Sequence, residues 1–173
     1  MLSYGTVRPA WGFRNAGRKR ELAFGLNNNR QVVGYSDTNS GQMHAFLWQS
    51  TLAGNDSRAY AINSSRQIVG TSLAAANRND AFLWEAGTGM QDLGDVSWMG
   101  LASAINDAGQ VVGVSLGSSS ALHTFLSTGG SMVDLNTLLP PDSGWILRGA
   151  PSINDAGEIV SYVTIWANPV RSC

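Results

Sequence analysis

Two histidines and one aspartate share a place in a repeated phrase of this 173-residue chain: His44, Asp80 and His123 each stand two residues before a phenylalanine, Phe46, Phe82 or Phe125. Imidazole and carboxylate together are ligands for zinc or another first-row ion, so a metal site is the first chemistry to weigh. One zinc requires all its ligands at about 2 Å, and equivalent positions of successive repeats are held a unit's width apart. A residue that opens a strand and bonds locally accounts for the pattern better, and no metal is expected. Asp37-Thr38-Asn39-Ser40-Gly41 has the alternating oxygens and glycine of a calcium loop's opening. It lacks a fifth-position acid, and Trp48 stands where the bidentate glutamate belongs, so a hairpin loop is expected. Serines are plentiful, but no G-x-S-x-G elbow occurs, and those near His123 lie in a low-complexity loop. No catalytic residue and no cofactor are assigned.

Trp98 and Trp145 are the remaining candidates, eight and nine residues ahead of the recurrent Asn106 and Asn154. An indole exposed in a connector can stack on a sugar ring or anchor a protein, so these two are the expected ligand-binding residues; the competing reading tucks both under loops. The segment RPAWGFRNAGRKR at 8–20 mixes arginine with Trp11 and Phe13, and residues 1–20 carry five positive charges and no acid. Such a segment can touch anionic lipid or nucleic acid. With a net charge of −1, the chain as a whole gives no electrostatic case for a nucleic-acid partner, and 1–20 is expected as a poorly ordered leader.

The elements that would position these residues follow from a repeat. FGLNNNRQVVGYS at 24–36 recurs as YAINSSRQIVGTS at 60–72, SAINDAGQVVGVS at 103–115 and PSINDAGEIVSYV at 151–163. The aligned Asn27, Asn63, Asn106 and Asn154 give a mean period of about 42 residues. HAFLW at 44–48, DAFLW at 80–84 and HTFLS at 123–127 follow at a fixed offset, and GMQDLG at 89–94 recurs as SMVDLN at 131–136. Each phrase alternates apolar and β-branched residues with small or polar ones between Gly, Asn, Asp and Ser, which is the pattern of a short strand. Asn106 and Gly109, like Asn154 and Gly157, sit at the first and fourth positions of a type I turn closing a hairpin. Arg30 and Arg66 replace that glycine, so the first two turns should cost about 1 kcal/mol more or take another shape. The asparagines are thereby assigned to turns, and Asp92 and Asp134 to turn or inter-unit hydrogen bonds.

Four strands per unit at this period fit the blade of a β-propeller. The expected fold is all-β: a β-propeller-like array of four-stranded repeats, three fairly complete blades plus an incomplete fourth. The units are placed at about 22–56, 57–98, 99–145 and 146–173 within a single domain from residue 21. Ile62, Val69, Phe82, Leu83 and their equivalents should pack between blades. The phrases A-x-x-I-N-x-x-G-x-V-V-G-x-S, H-A-F-L-W and G-x-M-x-D-L-G resemble those of the probable extracellular repeat family named HAF, over residues 22–163. His44-Ala45-Phe46 matches the naming tripeptide, whereas Asp80-Ala81-Phe82 and His123-Thr124-Phe125 each keep two of three positions. VDLNTLLPPDSGW at 133–145 followed by SINDAGEIV resembles the last unit of such arrays, with Ser161 where Gly34, Gly70 and Gly113 stand. The resemblance implies a bacterial, secreted or surface-associated protein with no settled activity.

Charged residues make up 13% and hydrophobic ones 43%, against disorder and against a Lys/Glu-rich helical bundle. No apolar run is long enough for a transmembrane helix, and the apolar stretch of a secretory signal does not follow Arg20. The single cysteine, Cys173, excludes an intrachain disulfide and a paired thiolate site. The expected function is a non-catalytic repeat module binding protein or carbohydrate outside the cytoplasm. The alternatives are a polysaccharide-active enzyme with a central site and a fragment of a longer array. An array that does not close exposes blade edges, through which self-association is expected.

Overall fold

The computed structural model describes residues 20–38, 40–47, 50–51, 56–74, 78–94, 99–116 and 121–165. The first sheet comprises β1 (Glu21–Leu26), β2 (Val32–Asp37), β3 (Met43–Leu47) and β4 (Ser50–Thr51), and the second β5 (Ser57–Ile62), β6 (Ile68–Leu73), β7 (Asn79–Glu85) and β8 (Gly89–Asp92). The third holds β9 (Met99–Ile105), β10 (Val111–Leu116), β11 (Leu122–Thr128) and β12 (Ser131–Asp134). A 3-10 turn, Leu135–Leu138, leads to the two-stranded fourth sheet, β13 (Trp145–Ile153) and β14 (Ile159–Ile165). All pairs are antiparallel between chain neighbours, so the described residues form three four-stranded meanders and one hairpin, with no α-helix and no closed sheet. The leader 1–20 lies outside the described residues except for Arg20, whose backbone N–H and carbonyl both bond Asp37.

One local device recurs. In the first three units the first strand carries one extra residue, Phe24, Tyr60 or Ser103, as a bulge opposite the glycine of the second strand. The bulged strand brings the carbonyls of Leu22, Arg58 and Leu101 so near Gly34, Gly70 and Gly113 that a Cβ would lie 1.9, 1.9 and 2.0 Å from them. The glycines in the repeated phrase answer this approach. The fourth unit solves it differently: Ser161 is accommodated because β13 shifts register twice around Gly149, and the serine hydroxyl donates to the Gly149 carbonyl at 2.7 Å.

The turns between first and second strands share one geometry in all four units. The fourth residue donates its N–H to the asparagine carbonyl at 3.0–3.1 Å and takes positive φ, 76° at Gly109, 81° at Gly157, 60° at Arg30 and 66° at Arg66. The arginine turns therefore keep the glycine shape and carry its strain.

Each sheet packs on the next in chain order. Val33, Ala45 and Leu47 of the first sheet meet Ala59, Ile62, Ile68 and Phe82 of the second. Val69 and Ala81 meet Ala102, Ile105, Val111 and Phe125 of the third, and Val112 meets Ala150 and Ile153 of the fourth. Of the three phenylalanines of the repeated phrase, Phe82 and Phe125 are fully enclosed and Phe46 is half-buried. Each enclosed ring contributes about 2–3 kcal/mol by leaving water. The core is thus three equivalent layers between sheets, as a stacked repeat requires.

Candidate functional site

Trp145 opens β13 with 54% of its surface exposed, and its strand partner is Ile165, itself 67% exposed. The approach to it is a tight bend in which Asp142 and Gly144 both take positive φ and Ser143 Oγ accepts the Trp145 N–H at 3.3 Å. The indole is held at the sheet margin rather than under a loop. Trp98 lies outside the described residues.

The aligned His44, Asp80 and His123 are not gathered. His123 Nδ1 lies 2.6 Å from Asp134 Oδ2, joining the second and third phrases within one sheet. The other Asp134 oxygen accepts the Asn136 N–H and caps the 3-10 turn, while Asp80 lies 3.7 Å from Arg78. Among the described residues no group of three His, Cys, Asp or Glu side chains could hold a metal. Asp37 ends β2, and Thr38 Oγ1 accepts the Gln42 N–H at 3.1 Å across the β2–β3 hairpin loop; Asn39 lies outside the described residues. Asp92 Oδ1 accepts the Gly94 N–H as a turn bond.

The recurrent asparagines do more than turn the chain. Asn27 Oδ1 accepts the Gln31 N–H at 3.0 Å, and its Nδ2 donates to Gln31 Oε1 at 2.8 Å and to the Asn63 carbonyl at 2.9 Å. Asn63 repeats all three bonds with Gln67 and the Asn106 carbonyl, and Asn106 with Gln110 and the Asn154 carbonyl. The four turns are therefore strung in a column in which the amides of Asn27, Asn63 and Asn106 each spend one hydrogen on their own turn and one on the next unit. Asn27, Asn63 and Asn106 are buried, at 9%, 3% and 3% exposed, and an unpaired amide there would be costly.

A second row runs alongside. Ser64 donates its N–H and its hydroxyl to the two carboxylate oxygens of Asp107, each at 2.8 Å, and the Asp107 N–H donates to Asp155 Oδ1 at 2.9 Å. The Ser64 backbone N–H, then its hydroxyl, hold the Asp107 carboxyl below the ordinary carboxylate value. Asn136 adds a further link: its amide exchanges two bonds with the Leu147 backbone, at 2.7 and 3.2 Å, joining the third unit to the fourth. Sequence reasoning passed over Gln31, Gln67 and Gln110, each four residues after its asparagine, whose fixed spacing was the available signal; Asn136 had none.

The recurrent asparagines Asn27, Asn63 and Asn106 are thus engaged in joining units, whereas Trp145 is large, flat and accessible. No protein-family model, curated protein or solved structure matches the chain.

Proposed function

We propose that the chain is a propeller-like, non-catalytic module of the HAF repeat type, presented outside the cytoplasm, that binds a ligand with a flat apolar face at the connector margin around Trp145. A sugar ring and an aromatic side chain of a partner protein both have such a face. The exposed indole of Trp145 carries this reading. It sits at the start of a unit on a bend that fixes its backbone, and stacking needs a rigid, accessible aromatic plane. The repeated four-stranded meanders, each laid on the next through its first strand, support the propeller-like arrangement. The order of the three phrases supports the family.

Titrating a panel of neutral and acidic oligosaccharides while following tryptophan fluorescence tests the sugar-binding form. The expected result is a saturable change in the wild-type protein that disappears in Trp145→Ala while the far-ultraviolet spectrum is unchanged. A response identical in the two proteins, or none in either, refutes it. Protease accessibility on intact cells tests the location, and full protection by an intact inner membrane overturns it.

A further inference from the structure

Among the described residues, the first and last units present exposed the complementary halves of the joint that the chain makes three times. Leu26 is 69% exposed, whereas its equivalents Ile62, Ile105 and Ile153 are 7–9% exposed because each packs under the preceding sheet. Ala23 is likewise exposed where Ala59, Ala102 and Ala150 are buried. At the opposite end Val160 is 62% exposed, while its equivalents Val33, Val69 and Val112 are all fully buried under the following unit. The polar column ends the same way. Among the described residues, Asn154 Nδ2 donates to Glu158 Oε2 at 2.6 Å and to no onward carbonyl, and the Asn27 carbonyl accepts the Arg30 N–H but no side chain.

Charge adds direction. Within the chain, the fourth turn residue of one unit lies against the side chain four residues after the asparagine of the unit before it. A Cβ on Gly109 would meet Gln67 Oε1 at 3.3 Å, and one on Gly157 would meet Gln110 Oε1 at 3.4 Å. Extending that rule past the last unit sets its Glu158 against the fourth turn residue of the first unit, Arg30. The glutamine position is acidic only in the last unit, and among the described residues Glu158 is bonded through Oε2 and not Oε1.

We propose that the protein self-associates head to tail: the last sheet of one copy, through Val160, Asn154 and Glu158, docks on the first sheet of a second copy, through Leu26, Ala23, the Asn27 carbonyl and Arg30. The joint between copies is the joint between units. It joins two different surfaces, so it is heterologous and adds copies until a ring closes or a filament grows. The faces of the end sheets, rather than their strand edges, form the contact.

Sedimentation velocity on the full chain tests this with paired variants. Leu26→Asp blocks only the front and Val160→Asp only the back; both positions face solvent in the monomer, and circular dichroism checks that each variant folds. The expected result is a concentration-dependent oligomer for the wild type, a monomer for each variant alone, and a 1:1 heterodimer of twice 18.3 kDa when the two are mixed. A charge reversal supplies a second readout: Arg30→Glu and Glu158→Arg each weaken association, and the double variant restores it. A wild type that stays monomeric up to about 100 µM, too weak for a specific interface, overturns the proposal. So does a mixture of Leu26→Asp and Val160→Asp that fails to pair, since a symmetric contact predicts that outcome and a head-to-tail one forbids it.

Discussion

Replacing Asn106 with alanine and, separately, Asn154 with alanine compares one residue type at one repeat position with and without a neighbour above it. The Asn106 side chain makes three hydrogen bonds: from the Gln110 N–H at 2.9 Å, to Gln110 Oε1 at 2.7 Å and to the Asn154 carbonyl at 3.0 Å. At about 1 kcal/mol net for each, Asn106→Ala costs about 3 kcal/mol. The cost stays near that figure because the Asn154 carbonyl keeps the Gly157 N–H at 3.0 Å and is not orphaned. Among the described residues the Asn154 side chain bonds only Glu158, at 2.6 and 2.8 Å, and it is exposed, so water replaces both partners and Asn154→Ala costs about 1 kcal/mol. Urea denaturation followed by fluorescence and circular dichroism, at a protein concentration where the chain is monomeric, measures both. The expected difference is about 2 kcal/mol, with Asn63→Ala grouping with Asn106→Ala. Equal losses at Asn106 and Asn154, within about 0.5 kcal/mol, would refute the column and return the asparagines to turn chemistry alone.

Three further outcomes follow from the same geometry. Gly113→Ala sets a Cβ 2.0 Å from the Leu101 carbonyl and 2.7 Å from Phe125 Cζ, so it should cost about 3 kcal/mol in chemical denaturation, whereas Gly87→Ala, with open space around it, should cost under about 1 kcal/mol. Arg66→Gly relieves a non-glycine residue held at φ 66°, and after the extra freedom glycine gains in the unfolded chain a net stabilisation of about 0.5 kcal/mol is expected, visible as a higher denaturation midpoint. The folded Asp107 carboxyl titrates below its unfolded value, so its contribution is fully present above the ordinary aspartate value of about 3.9 and is lost as pH falls through the lower folded value. Acid titrations of wild type and Asp107→Asn should therefore converge as pH drops through that window, and a constant difference between them would contradict the Ser64 bonds as the cause.

The strand phrases, the hairpin turns and the inward phenylalanines are legible from sequence because they are local: alternation sets which face a residue takes, and Asn followed by Gly at the right spacing sets a turn. Arg30 and Arg66 could not be decided that way, since a strained turn of the glycine shape and a different turn are both open to arginine. The packed sheets selected the first, holding φ positive in all four turns. Of the two tryptophans singled out, Trp145 could be placed at the sheet margin with its ring accessible, a position that depends on the bend at Asp142–Gly144 and not on any pattern around the indole itself.

The sequence by itself determined that the chain is a series of about 42-residue β units with a shared core position at Phe82 and Phe125 and a glycine in the second strand of the first three. It determined these because hydrophobic periodicity and backbone sterics act over a few residues. Only the tertiary structure decided what the repeated polar residues are for. An asparagine amide has two hydrogens, and one of them reaches a carbonyl 36 to 48 residues away, in a unit that the local sequence does not describe. The same distance in sequence hides the end faces: Leu26 and Ile62 read alike, as do Val160 and Val112, and stacking alone buries one of each pair and leaves the other in water.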